Sequence, residues 1–522
     1  MIINECAARG KQSVRQLAGL LGLSKSSVQR HRHAAARRAR HPESPLWESE
    51  AGEAWLKIVV VAALYVFGLQ CHVGAEKLSL FFKLLRVDGH IGVSPSALRA
   101  QMELMESLLP RFQQQCESAV SDESRAAVLA MDETFFGDFL ILVLMDLSSG
   151  YVLLEEVAAD RCFETWHRQA MPRLKALGID VKHAVSDRAK ALIKLAISGF
   201  ACAAGADLFH AQQDISRWLG AKLGRRHAQA KTEMENARAV LSANTKPTIA
   251  EIEVVVDAEL AYKQIDNACR MYHENLAGIA EDVHPFAWGS AQPQRAPQVA
   301  ARLETRAEVF AAVAKKQGLA DPKDSLAKFR RQVDDLAAHV EFWWQWVLEM
   351  LTEFGVDDAT QQWLTGVLLP TVYWHRRQQM AHNPTQRQAQ QKAWHEALQR
   401  LQTDAFTATL PEHEVQRWLQ WAEWMVRQFH RSSSAVEGRN GYLSQMAHNG
   451  RGLSETRLRA LTVIHNYGLK REDGTTAAMR LFGQPFPDLF SWLVAEMGAL
   501  PLPRKRRARV VHNPLDFKSV PA

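Results

Sequence analysis

Residues 125–160 read RAAVLAMDETFFGDFLILVLMDLSSGYVLLEEVAAD. Three apolar runs, VLAMDETFF, DFLILVLMDLSSG and YVLLEEVAAD, are separated by Gly-containing turns, which predicts an antiparallel meander of three strands. Downstream, CFETWHRQAMPRLKALGID carries apolar residues at helical spacing. VKHAVSD and ADLFH are two further short strand candidates, placed around the helix RAKALIKLAISG. The predicted order is therefore strand, strand, strand, helix, strand, helix, strand, helix.

That order is the one of the ribonuclease H-like fold, a mixed five-stranded sheet with helices on its faces. Two acids stand at telling places in it. Asp132 is embedded in the first strand, where an ionised carboxylate is costly unless it is paired or binds a cation. Asp187 ends the fourth. The first and fourth strands are neighbours in this fold, so the two carboxylates are expected to meet at one edge of the sheet, raising a pKa or recruiting a hard cation such as Mg2+. Each also has a purely structural reading, with Asp187 capping the following helix and Asp132 beginning a turn.

A third acid must come from far downstream. In HRSSSAVEGRNGYLSQMAHNGRG, a Ser-rich turn opens a helix whose first turn carries Glu437, with Arg439 and Asn440 following. Ser434 to Glu437 also fits a capping box, in which the Glu satisfies the helix start. The catalytic reading makes Glu437 the third metal ligand, with Glu423 and Glu455 as substitutes, and gives Arg439 and Asn440 a polar face for DNA.

The N-terminal stretch VRQLAGLLGLSKSSVQRHRH, residues 14–33, has the spacing of a helix-turn-helix. Ala18 allows close packing, Gly22 takes the turn, Val28 anchors the second helix and Ser24 caps it. Lys25, Ser26, Ser27, Gln29, Arg30 and Arg32 then lie where a recognition helix reaches base edges and phosphates. Between Met1 and Arg40 nine bases face one acid, a charge of +8 that exceeds the +6 of the whole chain. A merely structural hairpin has no need of such a concentration, whereas phosphate contact does. A weaker repeat of the pattern, with Ser94-Pro95 opening a helix, suggests a possible second helix-turn-helix.

Composition bounds the rest. With 522 residues, 47% hydrophobic and 23% charged, the chain is an ordinary folded protein of several domains, neither disordered nor collagenous. Six scattered cysteines form no CxxC pair, which fits a reducing cytosol. Ile58 to Leu69 is too short an apolar run for a bilayer and reads as a buried helix, so no membrane partner is expected. MIINECAARGKQ lacks the apolar core of a secretory signal, so a cytoplasmic, nucleoid-associated location is expected.

Taken in this order, the helix-turn-helix head, MDET, SDRAKAL, DLFHAQQDISR and SSSAVEGRNGYLS resemble the bacterial insertion-sequence transposases of the DDE class. The resemblance implies Asp132, Asp187 and Glu437 as a triad holding two Mg2+ or Mn2+ ions, with double-stranded transposon-end and target DNA as substrates. It implies cleavage followed by strand transfer, and a dimer or larger assembly, since two ends must be brought together. Two other functions stay open: an RNase H-like nuclease without strand transfer, and a non-catalytic DNA-binding regulator descended from a transposase.

The gap of 250 residues between Asp187 and Glu437 departs from compact members of the class and predicts an all-helical insertion. The expected architecture is thus a multidomain α+β chain. It comprises a helix-turn-helix domain (1–45), a helical segment (46–120), the first part of the catalytic core (121–215), the insertion (216–430), the final core helices (431–500) and a basic arm (501–522). Trp418, Trp421 and Trp424 share one helical stripe in the insertion, a pattern of core packing, with base stacking as the alternative.

Overall fold

The computed structural model describes residues 9, 11–38, 41, 43–47, 49–121, 123–137, 139–448 and 452–503. The basic arm from Arg504 onward lies outside the described residues. The chain divides into two units, one of residues 1–120, 445–479 and 484–522, the other of residues 121–444 and 480–483. Helices predominate in both, and the second contains a mixed five-stranded sheet.

The first unit opens with α1 (Val14–Leu21) and α2 (Lys25–Arg38). Gly22 ends α1 in the left-handed region at φ 62°, a conformation that glycine adopts without the cost a side chain brings. Leu17 and Val28, both 0% exposed, lock the pair, with Ala18, Leu21 and Leu23 packed around them. The Ser24 hydroxyl accepts the Ser27 amide at 3.1 Å and caps α2.

The apolar run at Ile58 belongs to α3 (Glu50–Ala63), which continues through a wider π-helical stretch to Gln70. Glu50–Gln70 is long and apolar enough to cross a membrane by composition, yet Leu56, Val60, Val61, Leu64 and Leu69 are at most 3% exposed within the unit's own core. α4 (Ala75–Leu84) and the 24-residue α5 (Pro95–Ser118) follow, the latter opened by Ser94, which accepts the Ala97 amide, and by Pro95. Arg457 of α16 (Glu455–Val463) ties this unit internally, pairing with Glu106 at 2.5 Å and donating to the Gly68 carbonyl at 3.0 Å.

In the second unit the meander forms as expected: β1 (Arg125–Phe136), β2 (Phe139–Asp146) and β3 (Val152–Ala158) pair antiparallel. α6 (Phe163–Ala176) crosses over to β4 (Ile179–Ser186), which runs parallel to β1, and β5 (Ala203–Ala206) runs parallel to β4. The order across the sheet is β3-β2-β1-β4-β5.

One strand corrects the sequence reading. ADLFH is not the fifth strand. β5 is the preceding AAGA, and Asp207 instead begins α7 (Leu208–Ile215) by accepting the Phe209 amide at 2.9 Å. Small residues give that strand no propensity of its own, and it exists because β4 offers an unpaired parallel edge.

From there to residue 427 the chain is helical apart from an isolated bridge between Phe286 and Pro293. The main helices are α8 (Ala221–Ala243), α9 (Ile249–Asp282), α10 (Ala296–Lys316), α11 (Ser325–Glu353), α12 (Leu369–Met380), α13 (Pro384–Thr403) and α14 (Glu412–Arg427). Breaks fall at 283–295, which contains Pro285 and Pro293, and at 381–383, just before Pro384 opens α13, as the sequence indicated. Trp343, Trp344, Trp346, Trp363, Trp374 and Trp418 are at most 4% exposed, so these rings build the helical core. α15 (Ser434–His448) then carries Glu437, Arg439 and Asn440.

Candidate functional site

Register places the acids. β1 pairs β4 through Ala130 and Val185, so carrying the parallel register two residues on sets Asp132 beside Asp187. β4 pairs β5 through Ser186 and Ala206, so one residue further Asp187 lies level with Asp207. Three carboxylates therefore stand at one level, Asp132 within β1 and Asp187 and Asp207 just past the carboxyl ends of β4 and β5. Asp187, just past the end of β4, is close enough for its charge to act on Asp132 within β1, in the middle of the sheet rather than at a lateral edge.

Asp132 is held from two sides. Its Oδ1 accepts the Glu133 amide at 2.9 Å and its Oδ2 accepts the Asn440 side-chain amide at 2.7 Å. Burial first, then the negative charges of Glu437 and Asp187, push its carboxyl up to about 7, against the pull of the Glu133 amide and the His210 charge. Asp187 lies in the turn after β4, where its Oδ1 accepts the Ala189 amide at 2.9 Å. The intervening Arg188 adopts a left-handed φ of 69°.

Asp207 was not singled out from the sequence, where it falls within the strand candidate ADLFH. The structure buries it to 2% exposure and surrounds it with donors: the Phe209 amide, the Ser433 hydroxyl at 2.5 Å and His210 Nδ1 at 2.7 Å. Burial alone would raise its carboxyl, but the bonds from His210, Ser433 and the Phe209 amide outweigh it and hold the group below its usual range. In turn the bond to Asp207 lifts His210 to about 9, against the effect of burial and with help from the charges of Asp207, Glu437 and Asp132. Its other nitrogen, Nε2, lies 3.7 Å from Glu437 Oε1.

Ser433 and Arg431 fasten the third acid to the sheet. The Arg431 carbonyl accepts the Leu208 amide at 3.0 Å, while its guanidinium donates to the Ala280 and Val283 carbonyls at the end of α9. The strap 431–433 thus brings α15, and Glu437 in its first turn, to the carboxyl ends of β4 and β5. The Glu437 carboxylate faces His210 rather than the helix start that the capping box from Ser434 to Glu437 supposed, and the Ser433 hydroxyl turns to Asp207.

Arg439 is a correction. Expected on a DNA-facing surface, it is buried, and its guanidinium grips Glu155 of β3 with Nε at 2.8 Å and Nη2 at 2.6 Å. The two side chains are 3% and 0% exposed, so this ion pair is an internal fastening of α15 to the sheet. Asn440 likewise turns inward, to Asp132.

α11 of the helical region also reaches the strand ends. His339 Nε2 contacts the Ala206 carbonyl at 2.7 Å, its Nδ1 lies 2.9 Å from His183 Nε2 of β4, and Asp335 pairs with Arg188. Burial holds both histidines in the neutral range, with His339 pushed down to about 4. Gly205 is required beside them, since a Cβ there would meet His339 Cε1 at 2.2 Å.

On the N-terminal helix pair, Lys25, Ser26, Gln29 and Arg30 are exposed. Ser27 is half-buried and accepts from Arg30 at 2.8 Å, and Arg32 turns back to the Gln12 carbonyl, bracing the segment before α1.

An oxygen-rich set of this kind fits a hard divalent cation, because added positive charge would offset both the burial of the Asp132 carboxylate and the charges of Glu437 and Asp187 beside it. Among the described residues no three His, Cys, Asp or Glu side chains stand as a ready-made metal cage. The five described cysteines are all free thiols.

Residues 364–509 match the model of a family of unknown function, DUF6399. That stretch contains Glu437 and Asn440 but none of the three strand-end aspartates. No curated protein matches the chain.

Proposed function

We propose that the chain is a DNA transposase that cuts transposon ends and joins them to target DNA by metal-dependent phosphoryl transfer on an RNase H-like core. The observation that carries this reading is the convergence of Asp132 and Asp187, from adjacent parallel strands, with Glu437 from residues far along the chain. Burial, and after it the charges of Glu437 and Asp187, raise the Asp132 carboxyl to about 7. The sheet order β3-β2-β1-β4-β5 and the α1–α2 pair support the same reading.

Asp132, Asp187 and Glu437 would hold the Mg2+ or Mn2+ ions, which when bound activate the attacking oxygen and stabilise the leaving one. The chain's own residues do the rest. Asn440 and the Glu133 amide fix the Asp132 carboxylate in one orientation. Asp207 keeps His210 protonated, and that cation beside Glu437 orients the carboxylate and offsets negative charge that develops on a bound phosphate. Water is the first nucleophile, freeing a 3′-hydroxyl, and that hydroxyl then attacks target DNA in line. Lys25, Ser26, Gln29 and Arg30 on exposed α2 read the end sequence, with the partner copy supplying the second end.

The test is cleavage of the element's own flanking DNA by the full chain with Mg2+ or Mn2+, compared with Asp187→Ala. Metal-dependent nicking by the wild type that disappears in the variant is the expected result. Binding of the ends without cleavage by either protein overturns the catalytic reading and leaves a DNA-binding regulator.

A further inference from the structure

α8 and α9 form a long antiparallel hairpin in the helical region. α9 has 34 residues, about 50 Å of helix. One of its faces is accounted for by α8. Val255, Ile265 and Cys269 are buried on that side, Asp266 meets His227 at 3.0 Å, and Glu259 meets Arg238 at 2.8 Å.

The face that adjoins this contact is not. Ile249, Ile252, Val256 and Leu260 recur at i, i+3, i+7 and i+11, which puts them on a single stripe about three turns long. They are 77%, 44%, 47% and 52% exposed. A stripe at this spacing is what a helix buries against another helix, and here the hairpin's own partner lies along the adjoining side and leaves it exposed. Isolated exposed apolar residues are ordinary, but four in register on one face form a patch that marks an interaction site.

Charge selects the occupant. Between Ile249 and Tyr262 the helix carries four acids and no base; Glu259 is paired with Arg238 and Glu251 holds the helix start at Thr248, which leaves Glu253 and Asp257. Glu253 and Asp257 border the stripe on its outer side. An acidic border repels both nucleic acid and an anionic membrane, and a symmetric pairing of α9 with a second α9 would set these acids against one another. It complements lysine and arginine.

We infer that the outward face of α9 from Ile249 to Leu260 is a docking seam for one amphipathic helix of a partner protein, with an apolar stripe bordered by Lys and Arg. This is the helix-on-helix mode, in which apolar anchors supply affinity and border charges supply orientation. The site is separate from the carboxylate cluster and does not depend on the activity proposed for it.

Two synthetic peptides test this on the full-length protein by fluorescence anisotropy. Both carry leucine at matching stripe positions, one bordered by lysine and the other by glutamate. The lysine-bordered peptide is expected to bind at least tenfold more tightly than the glutamate-bordered one, and to weaken several-fold as salt is raised. The double variant Ile252→Glu, Val256→Glu should abolish that binding, while Val240→Glu, on α8 and off the stripe, should leave it intact. All three positions are exposed, and equal helicity by circular dichroism confirms the fold. Failure of the lysine-bordered peptide to bind, or equal binding to wild type and double variant, overturns the inference. So does sedimentation equilibrium showing that the wild type self-associates without DNA and the double variant does not, since the occupant is then a second copy.

Discussion

Replacing Arg439 by Ala should strip a buried carboxylate of its counter-charge. Glu155 is 0% exposed and receives both guanidinium nitrogens within 2.8 Å. Removing one member of such a pair leaves an uncompensated interior charge and costs about 3–5 kcal/mol. At a urea dependence of about 3 kcal/mol per molar, that lowers the unfolding midpoint by about 1 M or more. Twelve of the fifteen tryptophans belong to the unit that contains the pair, so intrinsic fluorescence follows the relevant transition. The double variant Arg439→Met, Glu155→Leu should recover most of the loss, because two apolar groups of similar size need no partner. If Arg439 instead contacted DNA, Arg439→Ala would leave the midpoint in place and lower the salt slope of DNA binding by about one unit. That outcome would refute the assignment of Arg439 as an internal fastening of α15.

Other consequences can be checked alongside it. His339 has a folded pKa of about 4 against about 6.5 unfolded, so below pH 6.5 the unfolded chain takes up the proton first. Stability from this group is therefore fully present above pH 6.5 and falls by up to about 3 kcal/mol as pH drops to 4. Urea midpoints across that range should decline more steeply in the wild type than in His339→Leu, and identical slopes would argue against a buried neutral histidine. Asp132→Asn should abolish cleavage while leaving stability at pH 8 unchanged or raised by on the order of 2 kcal/mol, since it removes a buried charge; a destabilised variant would contradict a costly buried carboxylate. Gly205→Ala should cost about 1–3 kcal/mol or more through overpacking against His339 and His183, read as a lowered melting temperature. Replacing Lys25 and Arg30 by Ala should weaken binding to end DNA and flatten its dependence on salt, with the acid-cluster chemistry unaffected.

Much of the sheet was legible because its strands announce themselves locally. Apolar runs broken by Gly137 and Gly150 specify β1 to β3, and the apolar VKHAVS specifies β4, so the acids at Asp132 and Asp187 could be placed at strand positions before any contact was known. Gly22, Val28 and Ser24 likewise carry local signals of a turn, an anchor and a cap, and each performs that role. What tertiary structure alone decided are the pairings. AAGA has no strand propensity and becomes β5 only because β4 presents a free edge, which in turn moves Asp207 from a strand interior to a buried helix start beside His210. Arg439 looks like any surface arginine until Glu155, 284 positions away, closes around it. A sequence records which side chains prefer burial, charge or a turn; which distant groups meet is set by the balance of all contacts made at once, and there the site acquires its shape.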